Sequence, residues 1–165
     1  MKNILFICVF LSMASATAQE SLDNLLKTFN SGSVSYISVQ ELRRLQVNEP
    51  IVILDTREKE EFDVSRIASA RYIGYSEFSS ENISKMIPKK DTPIVVYCSL
   101  GIRSETIGEK LQKAGYTNIK NLYGGIFTWK NAGYQVVDAE GNQTEKVHAY
   151  SKIWGKWLLK AEKIY

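Results

Sequence analysis

The chain is 165 residues long, 44% hydrophobic and 24% charged, with a formal charge of +3. These values suit a soluble globular protein with one domain and a sizeable core. The basic residues are spread along the chain rather than clustered, which argues against nucleic acid as the main partner, since neutralising phosphates needs a concentrated patch.

The first residues read as an export signal rather than as part of the fold. Lys2 is a minimal positive start, Ile4 to Met13 an apolar run, and Ala16-Thr17-Ala18 an Ala-x-Ala cleavage site. The run is too short for a comfortable membrane span. The expectation is a signal peptide over residues 1–18 and an exported product starting at Gln19, periplasmic or secreted, with no stable membrane span after cleavage. Cleavage removes Cys8 and leaves Cys98 as the sole thiol. No intramolecular disulfide and no cysteine-held metal is then expected, and no cofactor is called for. A lone thiol in an oxidising compartment is a liability unless it is buried or used.

A lead-in over residues 19–33 comes first, with helical spacing of apolar residues from Ser21 to Phe29 and a break at Asn30-Ser31-Gly32-Ser33. Val34 to Ile37 suits a brief strand. Ser38-Val39-Gln40-Glu41 is a capping box opening a helix through Leu42 and Leu45. Ile51-Val52-Ile53-Leu54 is a continuous apolar run, the pattern of a strand covered on both faces. Asp55-Thr56-Arg57 stands at its end, before a short charged helix from Glu58 to Phe62. Arg71 to Ile73 is a third strand, and Ser79 or Ser80 caps a helix to Ile87. Ile94 to Tyr97 is a fourth strand. The helix after it is capped by Ser104, carries Ile107, Leu111 and Ala114, and stops at Gly115. Ile119 to Leu122 is a fifth strand, Gly124-Gly125 a tight turn, and Ile126 to Ala132 a helix ended by Gly133.

Strands alternating with helices imply an α/β fold, a mostly parallel five-stranded sheet with helices on both faces, over residues 34–137. Ligands of such sheets bind beyond the carboxyl ends of the strands, where Asp55 and Cys98 both fall. Residues 138–165 form an extension. Asp138 to Thr144 is polar and loop-like, and Ser151 to Lys163 places Ile153, Trp154, Trp157, Leu158 and Ala161 at helical spacing. A C-terminal helix packed across the domain is expected; a helix that docks a protein partner or lies on a membrane surface is the alternative reading.

From Cys98 to Arg103 the spacing is Cys-x4-Arg. Successive backbone N–H groups in such a loop point inward, and the following helix adds its positive end. Both favour an anionic sulfur, lowering the thiol pKa from its usual value of about 8.5. Arg103 adds a permanent cation that binds an anionic substrate or braces the loop.

These residues resemble a known family. The stretch from about Val34 to Val137 is similar to a single-domain rhodanese, a sulfurtransferase fold. Cys98-Ser99-Leu100-Gly101-Ile102-Arg103-Ser104 looks like its six-residue active loop, with the Arg-Ser that follows a Cys-x-x-Gly-x pattern. Asp55-Thr56-Arg57-Glu58 through Glu61-Phe62 resembles its Asp-x-Arg…Glu-Phe segment, and Leu122 to Ile126 with Trp129 its Gly-Gly…Trp segment. The resemblance implies that Cys98 is the nucleophile, loaded as a persulfide by a small donor such as thiosulfate and unloaded by a thiol or cyanide. It assigns Ser99, Leu100, Gly101, Ile102, Arg103 and Ser104 to the substrate-binding loop.

Many relatives carry a basic residue just after the cysteine and a small hydroxyl residue next. Ser99 and Leu100 stand there instead, so the mouth has one cation fewer. Arg66 either restores charge nearby or is solvated. Asp55 and Arg57 are expected behind the site as structural support, with Glu61 pairing Arg57 on the surface. Gly124-Gly125 reads as a turn rather than a phosphate cradle, since no Lys-Ser/Thr follows it. Trp129 reads as core, and His148 as remote from Cys98. Two other functions compete. A phosphatase or arsenate reductase on this fold needs a roomier loop, with five residues between Cys and Arg. A rhodanese-like sulfur carrier or binding module keeps the loop without turning over.

Overall fold

The computed structural model describes residues 22–165; the signal peptide expected over residues 1–18, and Ser21, lie outside them. Residues 22–29 are helical (α1). Five parallel strands follow: β1 (Tyr36–Ile37), β2 (Val52–Asp55), β3 (Arg71–Tyr72), β4 (Ile94–Tyr97) and β5 (Ile119–Leu122). They form one sheet in the order β1-β5-β4-β2-β3. The connections carry helices α2 (Val39–Asn48), α3 (Lys59–Val64), α4 (Ser80–Met86) and α5 (Arg103–Lys113), and α6 (Gly125–Asn131) follows β5. This is the α/β architecture that the alternating pattern implies.

Successive side chains of a strand point to opposite faces, and β4 divides the core accordingly. Val95 and Tyr97 join Leu22, Leu26, Leu42, Ile126, Phe127 and Trp129 on the α1/α2/α6 side. Ile94 and Val96 join Ile83, Ile107, Leu111 and Tyr116 on the α4/α5 side. All four β4 residues are buried, as expected of a central strand in a sheet with two covered faces.

Two helix starts differ from expectation. Ser38 Oγ accepts the Glu41 N–H at 3.1 Å, but the Glu41 carboxylate pairs with Lys120 of β5 at 3.5 Å. Helix α5 begins at Arg103 with Ile102 in the cap position, because the Ser104 hydroxyl is drawn to Asn121 at 2.7 Å.

The C-terminal extension packs across the domain without forming a helix, which corrects the expected C-terminal helical extension. Val136–Val137 (β6) and Gln143–Thr144 (β7) make a hairpin instead of an open loop, with the Asp138 carboxylate accepting the Glu140 and Asn142 N–H groups. Lys146–His148 (β8) pairs in parallel with Glu162–Ile164 (β9). Between them only Trp154–Trp157 makes a helical turn, of the 3₁₀ kind. Asn131 of α6 supplies the reason. Its Nδ2 donates to the Trp157 carbonyl at 2.7 Å, while its Oδ1 accepts the Leu159 N–H at 2.7 Å and the Lys160 N–H at 3.2 Å. One side chain thus takes the backbone groups that a continuing helix would pair internally. Val147, Ala149 and Leu158 are fully buried in the core all the same.

Candidate active site around Cys98

Cys98 follows the last residue of β4, and Asp55 ends β2, directly opposite Tyr97 in the register. Both lie at the carboxyl edge of the sheet, where α/β folds place their ligands. The thiol is 2% exposed. The loop turns tightly at Gly101, whose φ is +101° and whose N–H donates to Cys98 Sγ at 3.1 Å. A side chain there would sit 3.2 Å from the Leu122 carbonyl, so glycine suits both the conformation and the space.

The loop is clamped from outside. Asn121 and Asn30 each donate from Nδ2 to the Gly101 carbonyl, at 2.8 and 2.9 Å. The Ser104 hydroxyl stands 2.7 Å from Asn121 Oδ1 and 3.6 Å from Cys98 Sγ, with one proton to share between them. The Gly124-Gly125 turn brings the start of α6 under the loop, where the Ile126 N–H donates to the Cys98 carbonyl at 2.9 Å and the Phe127 N–H to the Ser99 carbonyl at 3.2 Å. A Cβ on Gly125 would meet the Cys98 carbonyl at 2.3 Å. The two glycines therefore do more than turn the chain: they let α6 hold the loop carbonyls outward.

Arg103 lies over the loop with both terminal nitrogens of its guanidinium hydrogen-bonded. Its two terminal nitrogens bind the Glu61 carboxylate at 2.6 and 2.8 Å, and Nη2 also reaches Ser99 Oγ at 3.1 Å. Ser99 Oγ in turn donates to Glu61 at 3.0 Å. Glu61 also accepts the Glu58 N–H at the start of α3 at 3.1 Å. The expected Glu61–Arg57 surface pair is thus not formed: Glu61 is buried and pairs Arg103, because Arg57 is taken by Asp55.

Burial pushes the Cys98 thiol up, but the Arg103 cation and the hydrogen bonds from Ser104 and Gly101 outweigh it, and the net shift is downward. Burial likewise raises Glu61, yet its hydrogen bonds and charge attraction with Arg103 hold it below the usual carboxylate range. The α5 N-terminus faces the same sulfur, adding the field of the helix dipole.

Behind the loop, Asp55 and Arg57 are both fully buried and bonded side by side, Nε to Oδ1 at 3.0 Å and Nη2 to Oδ2 at 2.7 Å. Arg57 also donates to the Ser65 carbonyl at 2.6 Å, and the Tyr97 hydroxyl donates to Asp55 Oδ2 at 2.5 Å. This cluster braces the ends of β2 and β4 and makes no hydrogen bond to the thiol.

Other residues singled out in the sequence fall away from the sulfur. Arg66 lies over the Phe62 ring and donates to the Ala139 carbonyl, so its charge serves the extension. Trp129 is core, with Nε1 donating to the Gln135 carbonyl at 3.0 Å. His148 Nδ1 accepts the Tyr150 N–H at 3.1 Å.

Above Cys98, Ser99 and Arg103 opens a cavity of about 200 Å³, walled by Leu100 and Ile102 of the loop, Phe29 of α1, and Tyr150 and Trp154 of the extension. Arg103 lies 4.7 Å below the Tyr150 ring centroid. Sequence reasoning missed Asn30, Asn121, Phe29, Tyr150 and Trp154. Asn121 carried a signal, a polar side chain buried within a strand; the aromatic wall carried none, because two distant segments build it. Among the described residues no cluster of three or more His, Cys, Asp or Glu side chains could hold a metal, and no helix is long and apolar enough to cross a membrane.

Residues 38–132 match the family model described as the rhodanese-like domain. The chain is 30% identical over 106 residues to thiosulfate sulfurtransferase GlpE of Coxiella burnetii, covering 64% of this chain and 95% of that protein. It is 34% identical over 101 residues to the tRNA uridine(34) hydroxylase of Listeria welshimeri, where the match spans 58% of this chain but only 31% of the relative. Among solved structures, a rhodanese-related protein from Thermoplasma volcanium superposes with a TM-score of 0.54 at 31% identity, over 62% of this chain and 97% of that one. The chain belongs to the rhodanese-like domain family.

Proposed function

We propose that this member of the rhodanese-like family is a sulfurtransferase that carries sulfane sulfur on Cys98 as a persulfide. The thiolate attacks the outer sulfur of a donor such as thiosulfate. The donor's S–S bond breaks, its electron pair leaves on sulfite, and Cys98 holds the sulfur as a persulfide. An acceptor thiolate or cyanide then attacks the outer sulfur, and the electron pair of the broken S–S bond returns to Cys98. No electrons are gained or lost overall, and no general base is required if the thiol is already ionised.

The observation that carries this reading is the sulfur cup. Cys98 Sγ accepts the Gly101 N–H at 3.1 Å, faces the start of α5, and has its pKa drawn down despite burial. An anion at that position, whether thiolate or persulfide, is stabilised by fixed dipoles that need no reorganisation. The likeness to a thiosulfate sulfurtransferase across nearly its whole length supports the same reading.

The test is turnover of purified protein with thiosulfate and with organic thiosulfonates as donors, against cyanide and small thiols as acceptors, beside Cys98→Ser. Ping-pong kinetics, a mass gain of one sulfur on Cys98, and loss of both in Cys98→Ser are expected. Loading without multiple turnover would make the protein a sulfur carrier instead, and no loading at all would sink the reading.

A further inference from the structure

The approach to Cys98 is apolar and its one cation is occupied. Phe29, Leu100, Ile102, Tyr150 and Trp154 wall the cavity. Among the described residues, Arg103 is the only basic side chain that lines it, and both of its terminal nitrogens are bound to Glu61 with the Tyr150 ring above. An anionic group entering here meets terminal nitrogens already bonded to Glu61 and Ser99.

The aromatic wall is braced rather than merely exposed. Tyr150 holds a left-handed backbone, φ +63°, a conformation that costs a non-glycine residue energy and persists where its surroundings enforce it. His148 Nδ1 and the Arg103 cation hold it there. Trp154 meets Phe29 edge-on at 6.0 Å and stacks on Trp157 at 5.7 Å, and Asn131 anchors the Trp157 carbonyl. Phe29, Tyr150 and Trp154 all lie outside the family-matched residues 38–132, so segments added around the domain shape the mouth of its site.

We infer that the sulfur substrate taken by Cys98 carries an uncharged apolar body about the size of an aromatic ring, and that Phe29, Tyr150 and Trp154 select it. The scale fits, since an apolar cavity of about 150 Å³ accepts benzene. The inference rests on the sulfurtransferase reading. The reacting head is the same as for any sulfane donor: Cys98 takes the outer sulfur, the S–S bond breaks, and its electron pair leaves with the organic fragment.

Benzenethiosulfonate and methanethiosulfonate test it, because they share the reacting head and differ in the apolar body. Their kcat/KM values are compared after each is divided by the donor's rate with free cysteine, which removes intrinsic reactivity. The wild type is expected to prefer the phenyl donor at least tenfold. Phe29→Ala, at a position 57% exposed, and Trp154→Ala should each cut that preference several-fold. A preference below twofold in the wild type, or one that survives in Phe29→Ala, overturns the inference while methanethiosulfonate turnover keeps the sulfurtransferase reading intact. If neither donor loads Cys98, the sulfurtransferase reading fails, and this inference with it.

Discussion

Replacing Arg103 with glutamine tests whether the Glu61–Arg103 pair holds the loop and ionises the thiol. Glu61 is 3% exposed and Arg103 17%, and they meet through two bonds of 2.6 and 2.8 Å. Removing one partner of a buried pair leaves the other without its counter-charge and costs about 3–5 kcal/mol. At about 2–4 °C per kcal/mol for a domain of this size, the melting temperature should fall by about 6–20 °C. The pH dependence has a definite sign. Because Arg103 depresses the Glu61 pKa, the pair stabilises the fold above the unfolded carboxyl value of about 4.3 and loses that contribution as pH falls through the lower folded value. Urea titrations at several pH values should show this acid-side decline in the wild type and its loss in Arg103→Gln. Cys98 should respond in the same sense as Glu61: without the cation its pKa rises, so the midpoint of iodoacetamide alkylation against pH moves upward. The double variant Glu61→Gln/Arg103→Gln should recover part of the stability and keep the raised midpoint. A loss below about 1 kcal/mol, the range of an exposed pair, together with an unmoved midpoint, would refute the reasoning.

Gly125→Ala places a Cβ 2.3 Å from the Cys98 carbonyl at a residue with φ +55°, so α6 must back away from the loop; sulfur transfer should fall at least tenfold and stability by more than about 1 kcal/mol, read by donor turnover and urea unfolding. Tyr97→Phe removes the 2.5 Å bond to Asp55 and leaves the Ile67 N–H without its partner at 3.2 Å. It should cost about 1–3 kcal/mol while the Cys98 alkylation midpoint stays in place, since the brace does not touch the thiol.

What could be read from the sequence follows from the range of the interactions involved. The central strands β2 and β4 and the Cys98 loop were legible because burial on both faces writes continuous apolar runs, and a strand-end cysteine before Gly101 is a local pattern. The Glu61–Arg103 pair was not, because it joins residues 42 positions apart. Spacing alone favoured the nearer Arg57, but Arg57 is drawn to Asp55 by a bond within one loop. The missing C-terminal helix has the same origin. Its apolar spacing was real, and Trp154, Trp157 and Leu158 do face the core; what stops the helix is Asn131, whose amide captures the backbone from across the fold. Gly124-Gly125 was legible as a turn, but its purpose depends on how close α6 comes to Cys98.

These contacts divide the work at the site between two parts of the chain. Sulfur stabilisation is local and backbone-based: the Gly101 N–H and the α5 terminus act on Cys98, and Asn121 and α6 keep the loop carbonyls turned away. The Arg103 charge still acts on the sulfur through space, although its terminal nitrogens are bonded to Glu61 and Ser99. It can therefore favour the thiolate without competing for the substrate. Recognition is left to surfaces with no hydrogen bonds to the sulfur, namely Phe29, Tyr150 and Trp154. Substitutions in the wall should therefore change which donors react while leaving the thiol pKa in place, whereas changes at Arg103 or Ser104 should move the pKa for every donor alike. That separation follows from geometry: the wall lines the cavity without a hydrogen bond to the sulfur, whereas the Gly101 N–H and the Ser104 hydroxyl stand 3.1 and 3.6 Å from it.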